Sequence, residues 1–177
     1  MGSENREFQI FVKPVGGRCN LRCSYCYYLA VNDNYYGGKA CRMSDEILEK
    51  YLIQHVEAST GPVISFSWHG GEPLLAGIEF FRKVSMLQKK YRPEGKTILN
   101  GIQTNGTLLD TAGCRFLSGE KYLVGISMDG PGNFHNIHRR RINGKASFND
   151  VLKGYRLLQQ YGVHTEILCV VSNDNVR

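Results

Sequence analysis

The sequence predicts an α/β fold built on a parallel sheet, and three features carry that expectation. Short runs rich in Ile, Val, Phe, Tyr and Thr alternate with helical stripes. Each run is bounded by Gly, Pro or Asn, and the segments that follow the runs are polar and glycine-rich. Strand–helix alternation calls for parallel strands joined by right-handed crossovers. The segments after the strands then gather at one face, the carboxyl edge of the sheet, where α/β folds place their sites.

The expected strands are residues 8–13, 63–68, 97–104, 122–128 and 164–171. Between the first two, Ser44 suits an N-cap and Asp45 and Glu46 suit a first helical turn. Ile47, Leu48, Tyr51, Leu52 and Val56 then form one apolar stripe. A second stripe is Phe80, Phe81, Val84 and Leu87, and a shorter helix is expected after Asp110. The last stripe is Val151, Leu152, Tyr155 and Leu158, which Gly162 stops. These stripes are read as core. Four turns at the carboxyl edge carry chemistry instead. They are Gly16-Gly17-Arg18-Cys19, His69-Gly70-Gly71-Glu72-Pro73, Asn105-Gly106 and Asp129-Gly130-Pro131.

A chain of 177 residues suffices for one domain with a real core, taken as residues 1–177. No apolar run is long enough to span a membrane, so no membrane partner is expected. The polar start lacks the layout of a signal peptide, which points to the cytoplasm. The net charge of +6 owes most visibly to His138-Arg139-Arg140-Arg141. No nucleic-acid module accompanies it, so no nucleic-acid partner is expected. The stretch is either a solvated basic surface or supplies one arginine to an anionic group of a small ligand. The sequence stops at Asn175-Val176-Arg177, where the next helix should begin, so a longer parent protein is expected.

Of six cysteines, Cys41, Cys114 and Cys169 are isolated and read as structural. Cys19, Cys23 and Cys26 are clustered as Cys-x3-Cys-x2-Cys. Three thiolates on one short loop can each ligate one iron of a cubane, which leaves the fourth iron open to a small molecule. Two other readings stay open. A zinc site would need a distant fourth ligand such as His69 or Cys41. A redox pair of Cys23 and Cys26 would not need Cys19. Glu72, after two glycines, can pair with an ammonium group or can simply start a helix.

With Tyr25 as its aromatic, the cysteine segment resembles the Cys-x3-Cys-x-aromatic-Cys motif of the radical S-adenosylmethionine (SAM) superfamily. The resemblance implies a partial (β/α)6 barrel with about five of its six strand–helix units present. It implies a 4Fe-4S cluster on Cys19, Cys23 and Cys26, with SAM bound to the open iron. It places Tyr25 near the SAM adenine and Gly70, Gly71 and Glu72 at the SAM amino group. Gln103-Thr104-Asn105-Gly106 falls near the ribose. Ser127 and Arg139 also fall on SAM, Arg139 at its carboxylate, while Asp129 reads equally as a turn residue.

Lys13-Pro14-Val15-Gly16, Tyr27-Tyr28 and Ser127-Met128-Asp129-Gly130-Pro131 narrow the likeness to the anaerobic sulfatase-maturating enzymes. Such enzymes cleave SAM reductively to a 5′-deoxyadenosyl radical and oxidise a cysteine or serine of a sulfatase to formylglycine. The resemblance thus implies a peptide or protein substrate and an electron donor such as ferredoxin or flavodoxin. Tyr28 could line the substrate side or be a plain buried aromatic. His69 stands where some maturases have glutamine. The family continues into a cysteine-rich extension that holds auxiliary clusters and the catalytic base, so no catalytic residue is assigned here. The alternatives are another radical SAM peptide modifier, or a non-catalytic iron–sulfur or zinc-binding fragment.

Overall fold

A computed structural model describes residues 8–30 and 42–176. Cys41 lies outside the described residues. The five strands are β1 (Phe11–Val12), β2 (Val63–Trp68), β3 (Thr97–Thr104), β4 (Leu123–Ser127) and β5 (Thr165–Leu168). They form one sheet in the order β1-β2-β3-β4-β5, and every neighbouring pair is parallel. The order never reverses, so the sheet winds steadily in one direction like the wall of a barrel.

Alternation along the strands separates two environments. Ile64, Phe66 and Trp68 of β2, Ile102 of β3, and Val124 and Ile126 of β4 are buried in the core beneath the helices. Towards the carboxyl ends of the strands, the opposite parity carries Ser65, Ser67, Gly101, Gln103, Gly125 and Ser127, which are small or polar. That face can therefore border a cavity.

Helix α1 (Asp45–Ala58) starts where Ser44 caps Ile47 N at 3.2 Å. Its buried stripe is Leu48, Leu52, His55 and Val56. Ile47, expected in that stripe, is 56% exposed. It sits about 100° round the helix from Leu48, and the sheet covers only the far side of that arc. Helix α2 (Ile78–Tyr91) buries Phe80, Phe81, Val84 and Leu87 as expected. It also buries Gln88, which exchanges two hydrogen bonds of 2.9 and 2.8 Å with Asn100, while Trp68 Nε1 donates to Asn100 Oδ1 at 3.0 Å. The buried amides thereby satisfy one another.

Helix α3 (Thr111–Gly119) is capped by Asp110, which accepts from Gly113 N at 2.7 Å, and Cys114 lies fully buried in the core. A short helix, α4 (Gly132–His138), was not expected from the sequence. Helix α5 (Phe148–Gln160) centres on Val151, Gly154 and Leu158, with Leu152 only half-buried. Gly154 is central because a Cβ there would lie 2.2 Å from Gly106 O. The helix therefore packs directly on the turn after β3. Among the described residues no helix is long and apolar enough to cross a membrane.

Candidate SAM and cluster site

The cysteine loop follows β1 and is held on two sides by backbone. Gly71 N donates to Gly16 O at 3.0 Å and Glu72 N donates to Arg18 O at 2.7 Å. On the other side Arg22 N donates to Arg140 O at 2.8 Å, Ser24 N donates to His138 O at 3.1 Å, and Leu21 bridges Arg141 antiparallel. The turn after β2 and the basic stretch after α4 thus clamp the loop between them.

Gly71 makes the first contact possible. A Cβ there would fall 2.0 Å from Arg18 O and 2.4 Å from Gly17 O. Gly71→Ala should therefore push the cysteine loop off the β2 turn. Overpacking costs about 1–3 kcal/mol where neighbours can yield, and here the neighbour is backbone. A lowered urea midpoint, together with reduced iron uptake during reconstitution, is the expected result.

A cavity of about 610 Å³ opens at the carboxyl edge. Its wall includes Cys19, Cys23 and Cys26, the tyrosines Tyr25 and Tyr28, Gly70 and Gly71, and Ser127 and Arg139. Its volume lies within the range of small-molecule sites. Gln103 Nε2 donates to Ser127 Oγ at 2.9 Å across its floor. Gly125 leaves the space that this glutamine fills, since a Cβ there would meet Gln103 Oε1 at 2.2 Å.

Burial raises the Cys19 thiol above its ordinary value, and burial lifts Cys23 to about 11 against the pull of Arg139. Binding iron removes these protons, so such thiols are poised for a metal more than for nucleophilic attack in its absence. Among the described residues no three His, Cys, Asp or Glu side chains gather around the position of a single metal ion. A cubane makes a different demand, with each thiolate on its own iron. Three thiols on one loop in the wall of a ligand-sized cavity suit that demand, and Cys19, Cys23 and Cys26 would hold a cluster with one iron free of a protein ligand. The donor set fits the cluster, and the cavity fits SAM.

Arg139 is the arginine of the basic stretch that lines the cavity. Arg141 turns away to pair with Asp150, and Arg140 Nη1 donates to Gly144 O at 3.2 Å. Arg139 is held by Asp129, whose Oδ2 accepts from Nε at 2.8 Å and Oδ1 from Nη2 at 3.1 Å. Tyr25 OH donates to Asp129 Oδ2 at 2.5 Å, and Val170 N donates to Oδ1 at 3.0 Å. The Arg139 guanidinium also lies over the Tyr25 ring, 5.5 Å from its centroid. Asp129 is thus a hub joining the cysteine loop, the basic stretch and the segment after β5. Burial would raise its pKa, but the bonds from Arg139 and Tyr25 prevail and hold it below the ordinary carboxylate range.

His135 supports this hub. It is fully buried, accepts from Asp129 N through Nδ1 at 3.4 Å, and lies 3.1 Å from Ser147 Oγ through Nε2. Burial first, and then Arg139, lower its pKa to about 4, so the ring is neutral. This histidine stands four residues before Arg139, in the stretch His135-Asn136-Ile137-His138-Arg139 that follows Asp129-Gly130-Pro131, but its role in holding Asp129 was not legible from that spacing. Of the residues expected near SAM, Glu72 departs most from its assignment. It is 0% exposed and absent from the cavity wall. Its carboxylate accepts from Leu74 N at 2.9 Å, Thr104 Oγ1 at 2.8 Å and Asn105 N at 2.7 Å. Burial pushes its pKa up to about 7, against those three bonds. These bonds tie it to the turn after β3.

The radical SAM superfamily model matches residues 14–175. The chain is 45% identical over 166 residues to the serine-type anaerobic sulfatase-maturating enzyme of Bacteroides thetaiotaomicron, covering 94% of this chain and 40% of that protein. It is 41% identical over 168 residues to the cysteine-type enzyme of Clostridium perfringens, covering 95% and 45% respectively. The solved structure described as native anSMEcpe with bound AdoMet and Cp18Cys peptide superposes with a TM-score of 0.82 at 39% identity, over 91% of this chain and 42% of that one. The chain therefore spans less than half the length of these relatives. With the motif, the winding of the sheet and these likenesses in agreement, the chain belongs to the radical SAM superfamily.

Proposed function

We propose that this chain is the cluster- and SAM-binding part of an enzyme that oxidises a cysteine or serine of a sulfatase to formylglycine. The family uses a 4Fe-4S cluster and SAM. Together they supply one-electron chemistry that ends in removal of a hydrogen atom from the target side chain. In this reading Cys19, Cys23 and Cys26 hold the cluster, and Tyr25, Gly70, Gly71, Ser127 and Arg139 bind SAM. Glu72 contributes by fixing the turn after β3. The observation that carries the reading is the meeting of all three thiols with Gly70, Gly71, Ser127 and Arg139 in one cavity wall.

The chain's own residues have distinct tasks. Asp129 keeps Arg139 charged and aimed, so an anionic ligand group meets a preorganised guanidinium. Arg139 still has donors beyond the two that Asp129 occupies. Tyr25, Leu168 and Val170 give the cavity an apolar wall that limits water near reactive groups. Tyr28 is buried, lines the same cavity and carries the Lys13 ammonium 4.9 Å from its ring centroid. The catalytic base is expected outside this chain. The substrate is a peptide or protein, the electron donor a carrier such as ferredoxin or flavodoxin, and the compartment the reducing cytoplasm, which suits free thiols destined for iron.

Similarity to both serine-type and cysteine-type enzymes leaves the target residue to experiment. The full-length parent protein, reconstituted anaerobically, should convert a sulfatase-derived peptide to an aldehyde detectable by hydrazide capture and mass spectrometry. Consumption of SAM without aldehyde would reject the sulfatase assignment. It would favour a modifier of another peptide, a reading consistent with His69, which lines the cavity and stands where some maturases have glutamine.

A further inference from the structure

We infer that Asn105 is a positioning residue that donates a hydrogen bond to the Cys19 sulfur and thereby raises the reduction potential of the cluster. This rests on the proposed function only in requiring a cluster on Cys19, Cys23 and Cys26. Asn105 Nδ2 lies 3.5 Å from Cys19 Sγ and 2.8 Å from Asn20 Oδ1. The orientation of the amide is determined by its other end. Asn105 Oδ1 accepts from Thr107 N at 3.0 Å and from Thr107 Oγ1 at 2.7 Å. An oxygen at that end satisfies both donors, so the nitrogen must face the sulfur. Asn20 Nδ2 donates to Thr107 Oγ1 at 2.7 Å and completes the ring of contacts.

The backbone of the same turn is pinned independently. Glu72 Oε2 accepts from Asn105 N, Glu72 Oε1 accepts from Thr104 Oγ1, and Gly106 N donates to Thr104 Oγ1 at 3.0 Å. Gly154 lets α5 press on Gly106 from behind. The Asn105 amide is therefore aimed by Thr107 and Asn20 on a backbone held by Glu72 of the turn after β2, Thr104 of β3 and Gly154 of α5, and Asn105 is 7% exposed. A second donor, Leu21 N, reaches the same sulfur at 3.3 Å. Neither Cys23 nor Cys26 receives a comparable side-chain donor among the described residues. Hydrogen bonds to cluster sulfurs withdraw electron density and favour the reduced state. Cys19 is then the ligand through which the protein biases the cluster.

The test is a potentiometric titration of the reconstituted 177-residue chain without SAM, followed by the electron paramagnetic resonance of the reduced cluster. Asn105→Ala should move the midpoint to more negative potential. Asn105→Asp keeps both contacts to Thr107 but presents an oxygen to the sulfur, and should move it further the same way. Thr107→Val frees the amide and should move it least. Unchanged midpoints in both Asn105 variants, with clusters assembled, overturn the inference and leave the cluster assignment standing. A parent chain that assembles no cluster overturns both. Pulsed resonance on the unmodified chain with 15N in its asparagine side chains covers the case of variants that do not fold. A 15N coupling to the cluster spin is expected, and its absence overturns the contact.

Discussion

Replacing Cys23 by alanine is expected to abolish the four-iron cluster, with iron content and the visible absorbance of the reconstituted chain both falling to background. The three thiols are the only thiols on the cluster loop, and Cys169, the other cysteine in the cavity wall, sits beyond β5. Losing one ligand leaves two irons without a protein donor in place of one, and the cubane has no substitute within the loop. Ser24 is adjacent in sequence, but its hydroxyl is 2.6 Å from His138 Nδ1, and His138 Nε2 is bound in turn to Asp174 at 2.8 Å. Cys23→Ser is expected to retain little iron, because a hydroxyl is far harder to deprotonate than a thiol. Retention of a full four-iron complement in Cys23→Ala would remove that residue from the ligand set.

Asp129→Ala is expected to destabilise the chain by about 3–5 kcal/mol, the usual cost of leaving one partner of a buried ion pair uncompensated. The Arg139 and Asp129 side chains are 10% and 3% exposed, so water replaces the lost carboxylate poorly. The same change releases Tyr25 from the cluster loop and unpairs Val170 N after β5. Urea unfolding measures the stability loss, and SAM binding should weaken together with it.

The pH dependence has a definite sign. The folded-state pKa of Asp129 lies below its ordinary value near 3.8, so its contribution is present in full above that value. It is lost as pH falls through the lower folded-state value. The parent chain should therefore lose stability on acidification below about pH 4 more steeply than Asp129→Ala does. Equal acid slopes would mean that the pair contributes nothing.

Elements whose signals are local were legible before the structure. Strands β2 and β3 match their expected residues because each is a short run rich in Ile, Phe, Trp and Thr bounded by Gly, Pro or Asn. Ser44 caps the helix it was expected to cap, since an N-cap depends only on the next few residues, and the shorter helix expected after Asp110 starts there. Strand β1 is shorter than its apolar run, because only Phe11 and Val12 find partners on β2. Ile47 was assigned to the core because composition alone does not say where a stripe is centred. Gly154 gave no apolar signal, and its role depends on a turn far away in the chain.

The site divides the same way. The cysteines and the Gly70-Gly71 turn were legible as short motifs. Asp129 and Asn105 were present in the quoted motifs, but their partners Tyr25, Arg139, Asn20 and Cys19 come from other turns. Only the winding of the sheet brings those turns together. Glu72 shows the limit in reverse. Its motif was recognised, but its burial and its bonds to Leu74 N, Thr104 Oγ1 and Asn105 N depend on the turn after β3 and were not legible.

The central claim is that Cys19, Cys23 and Cys26 leave one iron open to SAM. Electron paramagnetic resonance of the anaerobically reconstituted and reduced chain, recorded with and without SAM, tests it most directly. The account predicts a four-iron signal whose line shape changes when SAM is added. A chain that assembles no cluster, or a cluster whose signal is indifferent to saturating SAM, would contradict it.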